Sequence, residues 1–460
     1  MNYRGSSVDG PLHDFERREL AICRKGIRIG MQIVRYIEGS SPKGDARGRT
    51  GTSDSLGHAL GFAVDIGTTT VVVRLYDIED QVFLGQCSRR NAQNMMGKDV
   101  VMRMMHCLRG QGQRLQELIT GQIADMMGNL LEETFGQGTE GCRKDCREVV
   151  VVGNTAMCHI FLGMDVSGIS GSPFHAAYYG AWEGQGVSFG WTEYENLRVR
   201  VLPGIASHVG ADAMAMLLHQ DLDRTEKTVL AVDIGTNAEM VLANHGALTT
   251  GSVPAGPAFE GMEISCGMAG GPGAITGIRL APQTGNTILE VIAGKTPCGL
   301  CGSGLIQCIG QLLRYGLVDE NGVLAGEEQS FLVCEPDLRL TQDDVRQYQL
   351  AKASIQAGMN MLLCSQGISW KQIDHLEVAG VFGANLPQTA AVDTGMLPPD
   401  VEIRYIGNAA MEGAVQALLD PEVWERAALV GQRAGHVEFA QREDFQKQFI
   451  DSMTLKRQEL

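Results

Sequence analysis

"AVDIGTTTVVV", residues 63–73, ends an apolar strand on an aspartate, turns through Gly67 and three threonines, and resumes as valines. A second copy, "AVDIGTNAEMV", begins at Ala231. The apolar runs on either side of each turn read as the two strands of a hairpin. Glycine at the tip lets another group approach the main chain closely, and the hydroxyls and amides beside it supply hydrogen-bond donors. Such a tip suits a phosphate oxygen. The aspartate ending the incoming strand is placed to hold Mg²⁺ through its water shell, because hard cations on phosphates take carboxylate and water oxygens. One tip alone could be an ordinary turn, as Asp before Gly often is. Two tips 168 residues apart (233 minus 65) indicate a duplicated domain, a period far too long for a solenoid. Facing each other across a cleft, they would grip the β- and γ-phosphates from both sides. The chain has no G-x-x-x-x-G-K-[ST], and no G-x-G-x-x-G follows a strand, so neither a P-loop nor a dinucleotide fold is expected.

Working outward, residues 12–38 place apolar side chains (Leu20, Ile22, Ile27, Ile29, Ile33, Val34, Ile37) among charged ones, and 1–38 are expected as an N-terminal amphipathic helical segment. Residues 39–58, "GSSPKGDARGRTGTSDSLGH", read as a flexible linker. A first domain is expected over 59–228, a second, duplicate one over 229–420, and a tail with one strand ("GHVEFA") and one helix over 421–460. Within the first, "GKDVVMRMMHCLRGQGQRLQELITGQIADMMGNLLEETF" carries a helical period, its methionines reading as core filling. "REVVVVGNTAMCHIFLGM" reads as a buried strand ending at Gly153 and a helix from about Thr155, and 167–194 as an insertion loop.

At 460 residues, 44% hydrophobic and 20% charged, the chain fits a soluble globular protein of two or more domains. A net charge of −16 argues against nucleic-acid binding and suits a basic or electron-carrying partner. No apolar run is long enough to span a membrane, and the N-terminus lacks a signal-peptide core, so a cytoplasmic location is expected. The twelve cysteines are scattered among apolar neighbours, as reduced thiols are. The closest pairs, Cys142/Cys146 and Cys298/Cys301, lack the second pair that a four-thiolate site needs.

The repeated hydrophobic-Asp-Ile-Gly-Thr pattern, with "VAGVFG" near the end, resembles the superfamily of acetate and sugar kinases, heat-shock chaperone ATPases and actin. The resemblance implies an α/β fold: duplicated actin-like (ribonuclease H-like) ATPase domains around a nucleotide cleft. It makes Asp65–Thr70 (Gly67, Thr68, Thr69, Thr70) the first phosphate motif and Asp233–Asn237 (Gly235, Thr236) the second. It makes Ala379, Gly380, Val381, Phe382 and Gly383 the adenosine motif, and "VVGNTAM" (Gly153, Asn154, Thr155) and "GNAAMEGA" (Gly407, Asn408, Gly413, Ala414) the two connecting motifs.

Longer blocks, "NAQNMMGKDVVMR", "VGADAMA", "AGPAFEGMEISCGMAGGPGAI", "CGSGLI" and "DFQKQFIDSM", are similar to those of the reductive activators of corrinoid-dependent methyl-transfer proteins, from about Gly61 to the C-terminus. That family implies ATP and Mg²⁺ as cofactors, a corrinoid protein as partner, and ATP-driven reduction of Co(II) to Co(I). It also implies a possible homodimer. Characterised activators carry an iron–sulfur centre, whereas here Cys23 is the one cysteine before Gly61 and none follows Cys364. Three accounts stay open: a separate ferredoxin-like donor, a truncated product, or reuse of the fold. Asp65 and Asp233 are the candidate catalytic carboxylates. Glu260 could contact a Mg²⁺-bound water or ribose, and Gly302, Ser303 and Gly304 could bind nucleotide or cap a helix, as Asn154 and Thr155 could. His159 and His208 read as core histidines. A small-molecule kinase and a nucleotide-gated binding protein are the competing functions.

Overall fold

The computed structural model describes residues 32–37, 59–136, 140–281, 286–380, 386–439 and 442–459. In the first half, strands β1 (Gln32–Ile37), β2 (Leu60–Ile66), β3 (Thr70–Asp77) and β4 (Val82–Arg90) precede helices α1 (Val100–His106), α2 (Gly112–Phe135) and α3 (Glu140–Asp145). Then follow β5 (Cys146–Gly153), α4 (Thr155–Leu162), β6 (Trp182–Gln185), β7 (Arg198–Val201) and α5 (Ala211–His219). The second half runs β8 (Thr228–Ile234), β9 (Asn237–Asn244), β10 (Ala247–Pro254), β11 (Ala274–Ala281), β12 (Asn286–Ile292), β13 (Gly299–Leu300), α6 (Gly302–Arg314), β14 (Ser330–Cys334), β15 (Leu338–Thr341) and α7 (Gln342–Ser365). It ends with β16 (His375–Gly380), α8 (Gln388–Asp393), β17 (Ile403–Gly407), α9 (Ala409–Leu419), α10 (Pro421–Arg433), β18 (Gly435–Val437) and α11 (Glu443–Asp451).

The duplication is explicit in the sheets. One has the order β4-β3-β2-β5-β7-β6 and the other β10-β9-β8-β16-β17, with β18 added beyond β10. In each, two antiparallel hairpin pairings are followed by two parallel ones, so β2, β3, β4, β5 and β7 correspond to β8, β9, β10, β16 and β17. Strand β8 is apolar on both faces because both are covered. Val229 and Ala231 join the core of the first half, while Leu230, Val232 and Ile234 join that of the second. Between the sheets lies one shared layer of two helices, α5 and α9, which pack on each other; both touch β5, α5 also meets β9, and α9 lies on β2. Gly413 makes this possible: a Cβ there would stand 2.1 Å from the carbonyl oxygen of Ala215. A further four-stranded sheet, β1-β12-β11-β13, joins β1 to three strands of the second half.

Three expectations are corrected. Residues 32–37, placed in a helical segment, form β1, paired in parallel along all six residues with β12; local alternation there is compatible with strand or helix, and the distant partner decides. The rest of 1–38, the linker 39–58 and Cys23 lie outside the described residues. The segment 167–194 is not wholly loop, since β6 adds an antiparallel edge to β7. The tail has two helices, because Asp420 caps α10 and a proline opens it. Among the described residues no helix is long and apolar enough to cross a membrane.

Candidate functional site

The two Asp-Ile-Gly-Thr turns are equivalent hairpin tips. Ile66 pairs with Val71 and Ile234 with Ala238, so the first tip is one residue longer than the second. They face each other. Glu260, at the end of a short 3₁₀ turn Pro257–Glu260, accepts hydrogen bonds from Thr69 of the first tip and, at 2.5 Å, from Thr236 of the second. One carboxylate therefore spans the mouth between both loops.

Beside each tip the neighbouring parallel strand ends in glycine: Ile66 pairs with Gly153 and Ile234 with Gly380. A Cβ on Gly380, whose φ is +102°, would meet the carbonyl oxygen of Ile234 at 2.3 Å and Asp233 Oδ1 at 2.6 Å; one on Gly153 would meet Ile66 O at 2.8 Å. The topology thus makes "VVGNTAM" the counterpart of "VAGVFG", while the counterpart of "GNAAMEGA" on α9 is "VGADAMA" on α5. This corrects the pairing of the connecting motifs. Sequence spacing hides it, because only the sheet order shows that both segments follow the fifth strand of their unit.

Asn408 caps α9, accepting from Met411 N at 2.9 Å, and donates to Asp65 at 3.2 Å. Asn154 caps α4, accepting from Met157 N at 3.0 Å, and donates to Thr68 Oγ1 at 3.2 Å. Each asparagine is therefore both a helix cap and a loop anchor. Thr155 instead bonds to the Ala206 carbonyl at 3.0 Å. Gly302, Ser303 and Gly304 are buried at the start of α6, where a Cβ on Gly304 would meet Ile275 O at 2.0 Å. Close packing accounts for that glycine. Gly383, with Val381 and Phe382, lies outside the described residues. Buried His159 binds the Thr155 carbonyl through Nδ1 at 2.7 Å and accepts from Tyr178 N at Nε2, a core role as expected.

Three residues outside the expected set belong to the site. Asp212, in the first turn of α5, and Glu239, opposite Asp233 in the β8–β9 register, join Asp65 and Asp233 in one carboxylate group at the floor of the cleft. Burial and mutual repulsion act together. Burial raises Asp65 to about 6, with Asn408 and Arg74 opposing. Asp233 rises to about 7 through burial, then through the charges of Asp212 and Asp65. Asp212 also reaches about 7, chiefly by burial, and Glu239 is pushed well up by burial and by Asp212 and Asp233. The third kind of residue is Arg103 of α1, fully buried and lowered to about 10 by burial, so it stays charged at neutral pH. It donates to the Thr68 carbonyl at 2.5 Å, Asn94 Oδ1 at 2.7 Å, Gln93 Oε1 at 3.2 Å and Gly97 O at 3.1 Å. Asn91, in the same block, donates to Gly67 O at 2.9 Å. The first tip thus rests on "NAQNMMGKDVVMR".

Residues 60–225 match the RACo middle region, and residues 227–460 match the C-terminal domain of RACo, the ASKHA domain. The chain belongs to the RACo family. It is 32% identical over 411 residues to the corrinoid activation enzyme RamQ of Eubacterium limosum, covering 83% of this chain and 68% of that one. It is 27% identical over 285 residues to the [Co(II) methylated amine-specific corrinoid protein] reductase of Methanosarcina barkeri, covering 57% and 52%. The solved structure of a reductive activator for corrinoid, iron–sulfur protein superposes with a TM-score of 0.79 at 28% identity, over 99% of this chain and 78% of that one. The chain therefore spans about two thirds and about half of its two curated relatives. The resemblance read from the sequence is met: this is a RACo-family chain with the duplicated actin-like ATPase fold.

The cleft of this RACo-family member fits Mg²⁺ through water. Four carboxylates repel one another, which a divalent cation would relieve, yet among the described residues no group of three or more His, Cys, Asp or Glu could ligate an ion directly. Two expected results follow. Carboxyl groups raised above their unperturbed value of about 4 stabilise the fold fully below that value, and the contribution is lost as pH rises through about 6 to 7. Without metal, thermal unfolding should therefore move to lower temperature from pH 5 to pH 8, and Mg-ATP should restore most at pH 8. An unfolding temperature flat across that range would refute the cluster's electrostatics. In the second, Arg103→Met leaves the Thr68 and Gly97 carbonyls without their donor, costing about 1–3 kcal/mol for each. It should weaken Mg-ATP binding by about tenfold or more, as read by titration calorimetry.

Proposed function

We propose that this chain binds Mg-ATP between the Asp65 and Asp233 tips and uses its binding and hydrolysis to drive reduction of Co(II) to Co(I) in a corrinoid protein. The observation that carries the nucleotide site is Glu260, which joins the hydroxyls of Thr69 and Thr236 and so ties the two tips together. Family membership carries the corrinoid assignment. Bound Mg²⁺ would neutralise phosphate charge and, through its waters, engage Asp65 and Asp233.

The chain's own groups divide the work. Gly67, Thr68, Thr69 and Thr70 on one side, and Gly235, Thr236 and Asn237 on the other, present amides to the phosphates, and the Thr69 and Thr236 hydroxyls, which donate to Glu260 here, turn to them when nucleotide binds. Gly380 brings the end of β16 against Asp233, and the nucleoside is assigned to this strand end from the resemblance of "VAGVFG" to the adenosine motif. Asp65, held by Asn408 and the charge of Arg74, stays the more acidic. Asp233, near 7, is suited to take a proton from the attacking water at neutral pH. The helices α5 and α9 start at this floor, at Asp212 and Asn408, so a change in the carboxylates reaches the layer between the sheets.

The electron is assigned to a separate ferredoxin-like protein. The test is Mg-ATP hydrolysis with and without a Co(II) corrinoid protein and a low-potential reductant, with the cobalt spectrum followed together. Co(I) that appears only with ATP, with turnover stimulated by the corrinoid protein, is the expected result. Hydrolysis with cobalt untouched would overturn the corrinoid assignment and point to a kinase acceptor instead.

A further inference from the structure

Helix α1 has two faces that do different things. Its inner face carries Arg103, which holds the first phosphate loop, and buried Met104. On the outer face Val101 and Met105, with Leu108 in the π-helical turn that continues the helix (Cys107–Gln111), follow one another at i, i+4 and i+7, with Met102 beside them and Met95 just before the helix. Val101 is 64% exposed and Met95 83%. Of the twelve large apolar side chains exposed among the described residues, five lie in this stretch of fourteen. Single exposed apolar side chains need no explanation, but a helix that turns an apolar stripe to solvent does.

Charge around the stripe is as unusual as its exposure. Residues 89–114 contain Arg89, Arg90, Lys98, Arg103, Arg109 and Arg114 against one acid, Asp99, in a chain of net charge −16. Lys98 and Arg109 are exposed at the two ends of the stripe, and Arg114, also exposed, pairs with Glu117 at 3.3 Å. We propose that the outer face of α1, with Met95, is the docking surface for a protein whose apolar contact is ringed by acidic side chains. On the function proposed above, on which this identification rests, that protein is the corrinoid protein. Methionines suit the task, since their unbranched side chains repack against a partner's shape.

The two faces are one short helix apart, which gives docking a route to the nucleotide. Asn91, Asn94 and Arg103 hold the main chain of Gly67, Thr68 and Thr69 from the same segment that carries the outer stripe. A partner that shifts α1 shifts the loop, and by linkage nucleotide in the loop alters partner affinity by the same factor.

The test uses the full chain and a set of Co(II) corrinoid methyl-transfer proteins, including one of the methylated-amine class. With whichever binds the wild type, the double variant Met105→Glu/Leu108→Glu should bind at least about tenfold more weakly, while its Mg-ATP affinity and unfolding temperature stay at wild-type values. Arg109→Glu should weaken binding and flatten its dependence on salt. Amide hydrogen exchange over 95–109 should slow in the complex. Wild-type affinity in the double variant, or unchanged exchange over 95–109 in a formed complex, would overturn the surface and leave the proposed function standing. Protection of 95–109 in the chain alone, by a second copy or by its own N-terminal residues, would overturn it too. If Mg-ATP binds but no corrinoid protein does, the proposed function falls and this occupant with it.

Discussion

Asp233→Asn is expected to lower Mg-ATP hydrolysis by about 10²–10⁴-fold, the range for removal of a positioned general base. The substitution keeps size and shape, and Asp233 is held by backbone pairing on both sides, to Glu239 on β9 and Ala379 on β16, so the tip geometry survives. What is lost is the group whose pKa burial, Asp212 and Asp65 bring to about 7. The same loss relieves repulsion within the carboxylate group. The metal-free variant should therefore be at least as stable as the wild type at pH 8, an opposite sign that separates this effect from misfolding. Phosphate release and thermal unfolding, measured on one preparation, check both halves. Hydrolysis within threefold of wild type would remove Asp233 from the chemistry and leave Asp65 as the candidate.

The largest expected effect on stability comes from Gly413→Val. Its Cβ would meet not only the Ala215 carbonyl oxygen at 2.1 Å but also the carbonyl carbon at 2.5 Å, both on the facing helix backbone, where no rotamer change gives relief. Overpacking typically costs about 1–3 kcal/mol. Here the cost should exceed that range, because α5 and α9 are wedged between two sheets and have nowhere to retreat. The variant should be insoluble or unfold at much lower temperature. Gly121→Ala on exposed α2, where a Cβ meets nothing within 4 Å, is the control. It should gain about 0.5–1 kcal/mol from helix propensity. Denaturant unfolding of the three proteins decides.

Which parts of this site were legible in the sequence follows from how local each signal is. The hairpin tips, with Asp65 and Asp233, were legible because turn chemistry and strand pattern sit within a dozen residues and occur twice. Glu239 left a signal that went unused: it is the one acid in the strand "NAEMVLAN", and strand alternation puts it on the side of Val241, the face toward α5. Asp212 is similar, a lone charge in the apolar helix "ADAMAMLLH". Arg103 was hidden by its neighbours. Among so many methionines the stretch read as core filling, and Met104, Met126 and Met127 are buried, whereas Met102 and Met105 are exposed. Nothing local foretold β1, whose partner strand lies some 250 residues further along the chain.

The shared layer between the sheets bears on how this chain can be dissected. Helix α9 comes from the C-terminal region by sequence, yet Ala409, Met411 and Ala414 sit in the apolar core of the first half, over β2 and β5. A fragment cut at the boundary near residue 226 would leave that wall of β2 and β5 bare to water. Expressed alone, such a piece should aggregate, and co-expression of the complementary piece should rescue it. The two halves are separate in the order of the chain and joint owners of one interior, so the smallest unit that can be purified and assayed contains both.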